Sequence, residues 1–325
     1  MVCLAGSLPM LAGEAKLQRH LDLEYKKVDG KSLLLNLFVP ESKDAAALPP
    51  LIVHVHGGGW KGGQPLREPQ KPFVENGFAV ASIRYSYAPE AVFPAQVRDC
   101  NSAIKFLRAN AAKYGYNAQK IGIVGESAGG HLVAMMGVTD GLEEFQHPDD
   151  DYADASSRVQ AVCNMFGVTD FKAMLHFTQK LEEIMAAETE EEGKALADQF
   201  CDMPDYYKVV HILTKNGKPE DSLKATMDTL FGEKIEGNPA KLVSFSPLSY
   251  VNGPLKRDPA VFPPFLTLHA VGDPIVPLAQ GKVFDEALRS VGAESGIITY
   301  DRVGHSATPE KLTAAMEFFT RHLKQ

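Results

Sequence analysis

The chain has 325 residues, 45% hydrophobic and 23% charged, the make-up of an ordinary globular protein with enough apolar material to build a core without disulfides. A formal net charge of −8 and a pI near 5.7, with no basic stripe, exclude a nucleic-acid partner. No run approaches the roughly 18 uninterrupted apolar residues of a membrane span.

Residues 1–18 start apolar and rich in small residues before Lys16. They read either as the remnant of a signal peptide, without its positive first region, or as a loosely packed arm. The first reading implies a secreted or periplasmic protein and the second allows a cytoplasmic one. Residues 19–325 then read as one domain. Leu21–Val28 and Ser32–Val39 flank Asp29-Gly30, which predicts an antiparallel hairpin. The buried runs Leu51–His56, Phe78–Tyr85, Lys120–Gly125, Val159–Phe166, Pro264–Val271 and Ile297–Tyr300 follow. Helical patterns separate them at Gln96–Lys113, Ala128–Gly137 and Ala279–Val291, and Pro309 opens a closing helix. This alternation predicts an α/β fold, a mostly parallel central sheet with helices on both faces.

Between Asp170 and Ser244 the strand rhythm stops, and helix-like segments broken at Pro204, Gly217 and Gly237 take its place. So long a strandless stretch reads as a helical cap insertion, about 170–244. The acidic runs Asp149–Asp151 and Glu190–Glu192 read as solvated surface. The cysteines Cys3, Cys100, Cys163 and Cys201 form no CxxC pair, so neither zinc nor a disulfide framework is expected; Cys100 and Cys163 read as small buried hydrophobes.

The chemistry concentrates at four places. Gly125-Glu126-Ser127-Ala128-Gly129 ends a strand and opens a helix, the context in which G-x-S-x-G lifts a nucleophilic serine out of a sheet. His56-Gly57-Gly58-Gly59-Trp60 closes an earlier strand, and its glycines can turn backbone N–H groups toward an oxyanion. A phosphate cradle is disfavoured there, because neither G-x-G-x-x-G nor a following Lys-Ser/Thr is present. The order serine, acid, histidine selects His305, in the short loop before the last helix, and Asp273, at the exit of the preceding strand. Asp301 competes with Asp273 but stands too near His305 in sequence, while His269 inside its strand reads as structural and His56 as a support for its loop. The amide of Ala128 completes the expected oxyanion donors. Trp60, Tyr87, Met174 and Phe177 are candidate pocket linings, each equally readable as core.

HGGGW at 56–60, FPAQVRD at 93–99, GESAGGHL at 125–132 and the late Asp and His together resemble the hormone-sensitive-lipase-type esterases. They are closer still to the bifunctional feruloyl and acetyl-xylan esterase-like branch, and the resemblance runs from about Leu21 onward. It implies the α/β-hydrolase fold, no metal or organic cofactor, and Ser127, Asp273 and His305 as a triad. By the same match Gly58, Gly59 and Ala128 supply the oxyanion amides, and the partner is a small-molecule or oligosaccharide ester. Three features depart from the family: the run His269-Ala270-Val271-Gly272 before the acid, Tyr85-Ser86-Tyr87 before Ala88-Pro89-Glu90, and the length of 170–244. They leave acyl and alcohol preference open. An aryl formamidase of the kynurenine formamidase kind shares a similar His-Gly-Gly-x-Trp motif and serine elbow. A catalytically silent binding module on the same scaffold would have lost an element that is present here.

Overall fold

Short runs of Val, Ile, Leu and Phe become an eight-stranded sheet in the computed structural model, which describes residues 16–41, 48–200 and 223–325. Strands β1 (Leu17–Val28) and β2 (Lys31–Pro40) pair antiparallel, with Val28 opposite Lys31. The two residues between them, Asp29 and Gly30, both have positive φ, 47° and 78°, as a primed two-residue hairpin turn requires. The predicted arm at 1–18 lies outside the described residues as far as residue 15, and Leu17 already belongs to β1.

From there β3 (Pro50–Val55), α1 (Lys71–Glu75), β4 (Ala79–Ile83), α2 (Ala95–Ala109), α3 (Ala111–Tyr114), β5 (Asn117–Glu126), α4 (Ala128–Val138) and β6 (Ala161–Met165) alternate. The sheet order is β1-β2-β4-β3-β5-β6-β7-β8, and every pairing from β4 onward is parallel. Parallel strands covered on both sides bury all their residues, as β3, β4 and β6 do. Leu51, Val53 and Val55 enter the core on one side of the sheet, while Ile52 joins Phe73, Phe78 and Phe319 on the other. Gly122 lets the last helix approach, because a Cβ there would stand 2.6 Å from Phe319; burying one such ring contributes about 2–3 kcal/mol.

The single helix expected over 96–113 is divided. Asn110 turns its side-chain amide back to the carbonyl of Phe106 at 2.9 Å, a local bond that competes with helix continuation. Gly115, in the left-handed region, ends the second piece. The acidic run is solvated at Asp149 and Asp151, as expected, but not at Asp150. Lys26 reaches Asp149, and Ser102 and Lys105 hold Asp150, whose side chain is 2% exposed.

Between β6 and β7 (Phe265–Gly272) the described residues contain helices and no strand: α5 (Phe171–Met185), α6 (Glu190–Phe200), α7 (Leu223–Phe231), α8 (Pro239–Ser244) and α9 (Pro247–Val251). The predicted breaks at Pro204 and Gly217 lie outside the described residues. Asp170 caps α5 by accepting from the amides of Lys172 and Ala173, and the amide of Phe93 donates to the carbonyl of Leu230 in α7 at 3.0 Å. Helix α10 (Leu278–Ser290), β8 (Ser295–Val303) and α11 (Pro309–Leu323) complete the chain. The architecture is that of the α/β hydrolases, and β3 and β5 meet at its topological switch point, where open α/β sheets place ligands beyond their carboxyl ends.

Candidate active site

Ser127 stands between the last residue of β5 and the first of α4, at φ 54° and ψ −119°. That strained backbone persists only where its surroundings enforce it, and the flanking glycines show how. A Cβ on Gly129 would fall 2.1 Å from the carbonyl oxygen of Val55, and one on Gly125 would fall 2.4 Å from that of Gly129. The turn therefore packs against the end of β3, and its amide donates to the carbonyl of Met165 on β6 at 2.9 Å.

The loop after β3 lies beside this turn, a Cβ on Gly57 being 3.3 Å from the Ser127 Cβ. Gly58, Gly59 and Trp60 all have positive φ, which turns the peptide planes away from ordinary extended geometry. The amide of Gly57 donates to the Glu126 carboxylate at 3.3 Å. Among the described residues the amides of Gly58 and Gly59 find no acceptor. Ala128, first residue of α4, contributes one of the amides that a helix start leaves unpaired. Three uncommitted amides thus stand in the loop and the helix start that flank Ser127.

Behind them runs a polar chain that sequence reasoning did not assemble. The other Glu126 oxygen meets His54 at 2.9 Å, and His54 meets the Ser82 hydroxyl at 2.9 Å. Burial works to raise the Glu126 pKa, but His54 and the Gly57 amide outweigh it and hold the carboxyl below its ordinary range. His56 supports the loop as expected: its Nδ1 donates to the carbonyl of Gly57 at 2.7 Å, and burial pushes its pKa down to about 4.

His305 follows β8 in the predicted loop. Its Nδ1 stands 2.8 and 3.0 Å from the two carboxylate oxygens of Asp273, whose side chain is fully buried. One of these oxygens also accepts the amides of Ile275 and Val276 at 2.9 and 3.0 Å, so the carboxylate is fixed before it meets the imidazole. The other ring nitrogen, Nε2, is buried and makes no hydrogen bond among the described residues, to Ser127 or to any other group. Such bonds often tighten only in the substrate complex. The serine and the histidine are linked through β6: Met165 accepts the Ser127 amide, and the ring of the next residue, Phe166, meets the His305 ring at 4.6 Å. His269 is fully buried and donates to the carbonyl of Val276 at 2.8 Å, the structural role read from its sequence. Asp301 is exposed on β8.

The candidate linings divide. Trp60, 3% exposed, is core: its Nε1 donates to His131 Nδ1 at 3.2 Å, and its ring packs on Phe171. Met174 and Phe177 are buried in α5. Tyr87 is half-buried, and its hydroxyl donates to the carbonyl of Gly63 at 2.6 Å, holding the far side of the glycine loop. Sequence reasoning also missed His131, which joins Trp60 to the carbonyl of Phe245 at 2.9 Å within rings of Phe93, Phe171 and Phe245. Burial pushes its pKa to about 4. The His in GESAGGHL was the visible signal, but its partner lies 114 residues away. No cluster of three or more His, Cys, Asp or Glu side chains able to hold a metal exists among the described residues.

The family model BD-FAE matches residues 35–215. Esterase LipQ of Mycobacterium tuberculosis is 28% identical over 267 residues, covering 81% of this chain and 51% of LipQ. Carboxylesterase NlhH of the same organism is 37% identical over 90 residues, 27% of this chain and 28% of NlhH. The chain spans about half the length of the curated relatives it matches along most of its own length. Among solved structures, a truncated form of a carbohydrate esterase from gut microbiota superposes with a TM-score of 0.72 at 23% identity, covering 95% of this chain and 97% of that one. A bifunctional GH43-CE protein of Bacteroides eggerthii gives 0.68 at 26% identity, covering 94% of this chain and 38% of that one.

Proposed function

Because the chain belongs to the BD-FAE family, we propose that it is a serine carboxylesterase, cleaving short-chain acyl or carbohydrate-linked acetyl and feruloyl esters through an acyl-enzyme on Ser127. The observation that carries the reading is the Asp273–His305 pair, 2.8 Å apart, with the opposite imidazole nitrogen left unpaired. An anchored carboxylate beside Nδ1 keeps the proton on that nitrogen and leaves Nε2 as the base.

The steps follow from this tautomer. Nε2 takes the Ser127 proton as Oγ attacks the acyl carbon, and the carbonyl electrons move onto oxygen. The amides of Gly58, Gly59 and Ala128 receive that oxyanion, each donor lowering the barrier by about 3–4 kcal/mol. Collapse of the intermediate breaks the bond to the alcohol, which leaves with the proton from His305. Water then repeats the sequence and frees the acid, with Asp273 stabilising the imidazolium without taking its proton. The likeness to the gut carbohydrate esterase and to LipQ supports an ester substrate.

The test is hydrolysis of p-nitrophenyl acetate, methyl ferulate, acetylated xylan and N-formylkynurenine by wild type and Ser127→Ala. Loss of nearly all ester turnover in Ser127→Ala is expected. Faster cleavage of N-formylkynurenine than of every ester would replace this reading with a formamidase, and full activity without the serine hydroxyl would end it.

A further inference from the structure

Lys311, in the first turn of α11, is 1% exposed. A buried ammonium is costly unless its surroundings hold it, and these do. Nζ donates to the carbonyl of Ser306, the residue after His305, at 2.9 Å. It also lies 4.4 Å from the centre of the Phe166 ring and 5.6 Å from that of Tyr300, the arrangement in which a cation is attracted by an aromatic face. Burial lowers its pKa while Asp273 pulls the other way.

Phe166 joins this cation to the imidazole. It follows β6 at φ 45°, a conformation that bulky residues rarely adopt, and its amide is fixed to the carbonyl of Leu268 at 3.0 Å. Its ring meets His305 at 4.6 Å and an interplanar angle of 65°, so one strained aromatic touches both side chains. Such strain persists where a site requires it.

We propose that Lys311 is a positioning residue for His305: bonded to the Ser306 carbonyl and seated on the Phe166 ring, it fixes the loop and the imidazole in their working position. The inference rests on the proposed esterase site. The other groups around this pair are Asp273 and His269 from β7 and its exit, Tyr300 and Arg302 from β8, Cys163 from β6, and Glu310 from α11. Asp273 is engaged with His305, and Glu310 with Arg302 at 3.2 Å.

The experiment compares wild type, Lys311→Met and Lys311→Arg on p-nitrophenyl acetate, with thermal melts as a folding check. In Lys311→Met, kcat is expected to fall about 10- to 100-fold, the scale of a small misplacement of a catalytic group, with KM within about twofold. Lys311→Arg, which keeps charge and donor, should recover most of kcat. A folded Lys311→Met with wild-type kcat overturns the inference, even if it melts lower. Should that variant not fold, Phe166→Leu removes the ring between the two side chains and leaves the Ser306 bond. Lost kcat at steady KM then supports the inference, and unchanged kcat overturns it. An inactive wild type, or an active Ser127→Ala, defeats the site assignment itself; activity that needs Ser127 but is indifferent to Lys311 defeats only this inference.

Discussion

Replacing Asp273 by Asn changes one atom and reverses one hydrogen bond. One carboxylate oxygen already accepts the amides of Ile275 and Val276 at 2.9 and 3.0 Å. In the variant the amide oxygen keeps that place, 3.0 Å from His305 Nδ1 in the parent and already committed to two amides, and the NH2 group takes the nearer position, 2.8 Å from Nδ1. Two N–H donors cannot face each other, so Nδ1 gives up its proton and Nε2 acquires one. The imidazole then offers Ser127 a donor where a base is needed. Locking the wrong tautomer lowers kcat by about 10⁴, equivalent to about 5.4 kcal/mol of barrier. Shape and burial barely change, so the melting temperature should move by only a few degrees, roughly what 1 kcal/mol produces. Steady-state hydrolysis of p-nitrophenyl acetate beside a circular-dichroism melt measures both. A folded Asp273→Asn within about tenfold of wild-type kcat would refute the tautomer argument.

Ser127→Ala should melt like wild type and retain only the weak catalysis that oxyanion donors and binding supply, about 10³–10⁴ over water; labelling by a fluorophosphonate should disappear altogether. Gly129→Ala puts a Cβ 2.1 Å from one backbone oxygen and 2.7 Å from another. No side chain can move to relieve that contact, so a loss of about 4 kcal/mol or more is expected in urea unfolding, and a wild-type midpoint contradicts the packing. His131→Phe leaves Trp60 Nε1 and the Phe245 carbonyl unpaired, at about 1–3 kcal/mol each, read from the same unfolding curves. Stability should also fall in mild acid. His56 and His131 titrate near 4 in the fold but at the ordinary 6.5 when unfolded. Their contribution is therefore complete above pH 6.5 and is lost as pH drops toward 4, by about 3 kcal/mol per histidine. Melting temperatures flat across that window would contradict the burial of both rings.

The elements legible from sequence are those whose cause is local. Asp29-Gly30 between two apolar runs encodes its own turn, and G-x-S-x-G states the steric demand that the Val55 carbonyl imposes on Gly129. The loops carrying Asp273 and His305 could be found because strand ends and chain order narrow the choice. Lys311 could not. In the sequence it is one cation at the start of an amphipathic helix, and its burial is decided by Phe166, which arrives from β6. The same holds for Trp60, whose choice between core and lining depends on Phe171 in the inserted helices. The break at Asn110 was hidden because Asn is tolerated in helices until its side chain finds a nearby carbonyl.

The bonds from His131 to Trp60 and to the Phe245 carbonyl stitch the inserted helices to the glycine loop and to the helix behind the serine, and that from Phe93 to Leu230 ties α7 to the segment before α2. Reshaping those helices therefore pulls on the same threads that hold the glycine loop beside Ser127. Variants selected there for bulkier leaving groups should surrender turnover along with affinity, unless the His131 junction is left as it stands.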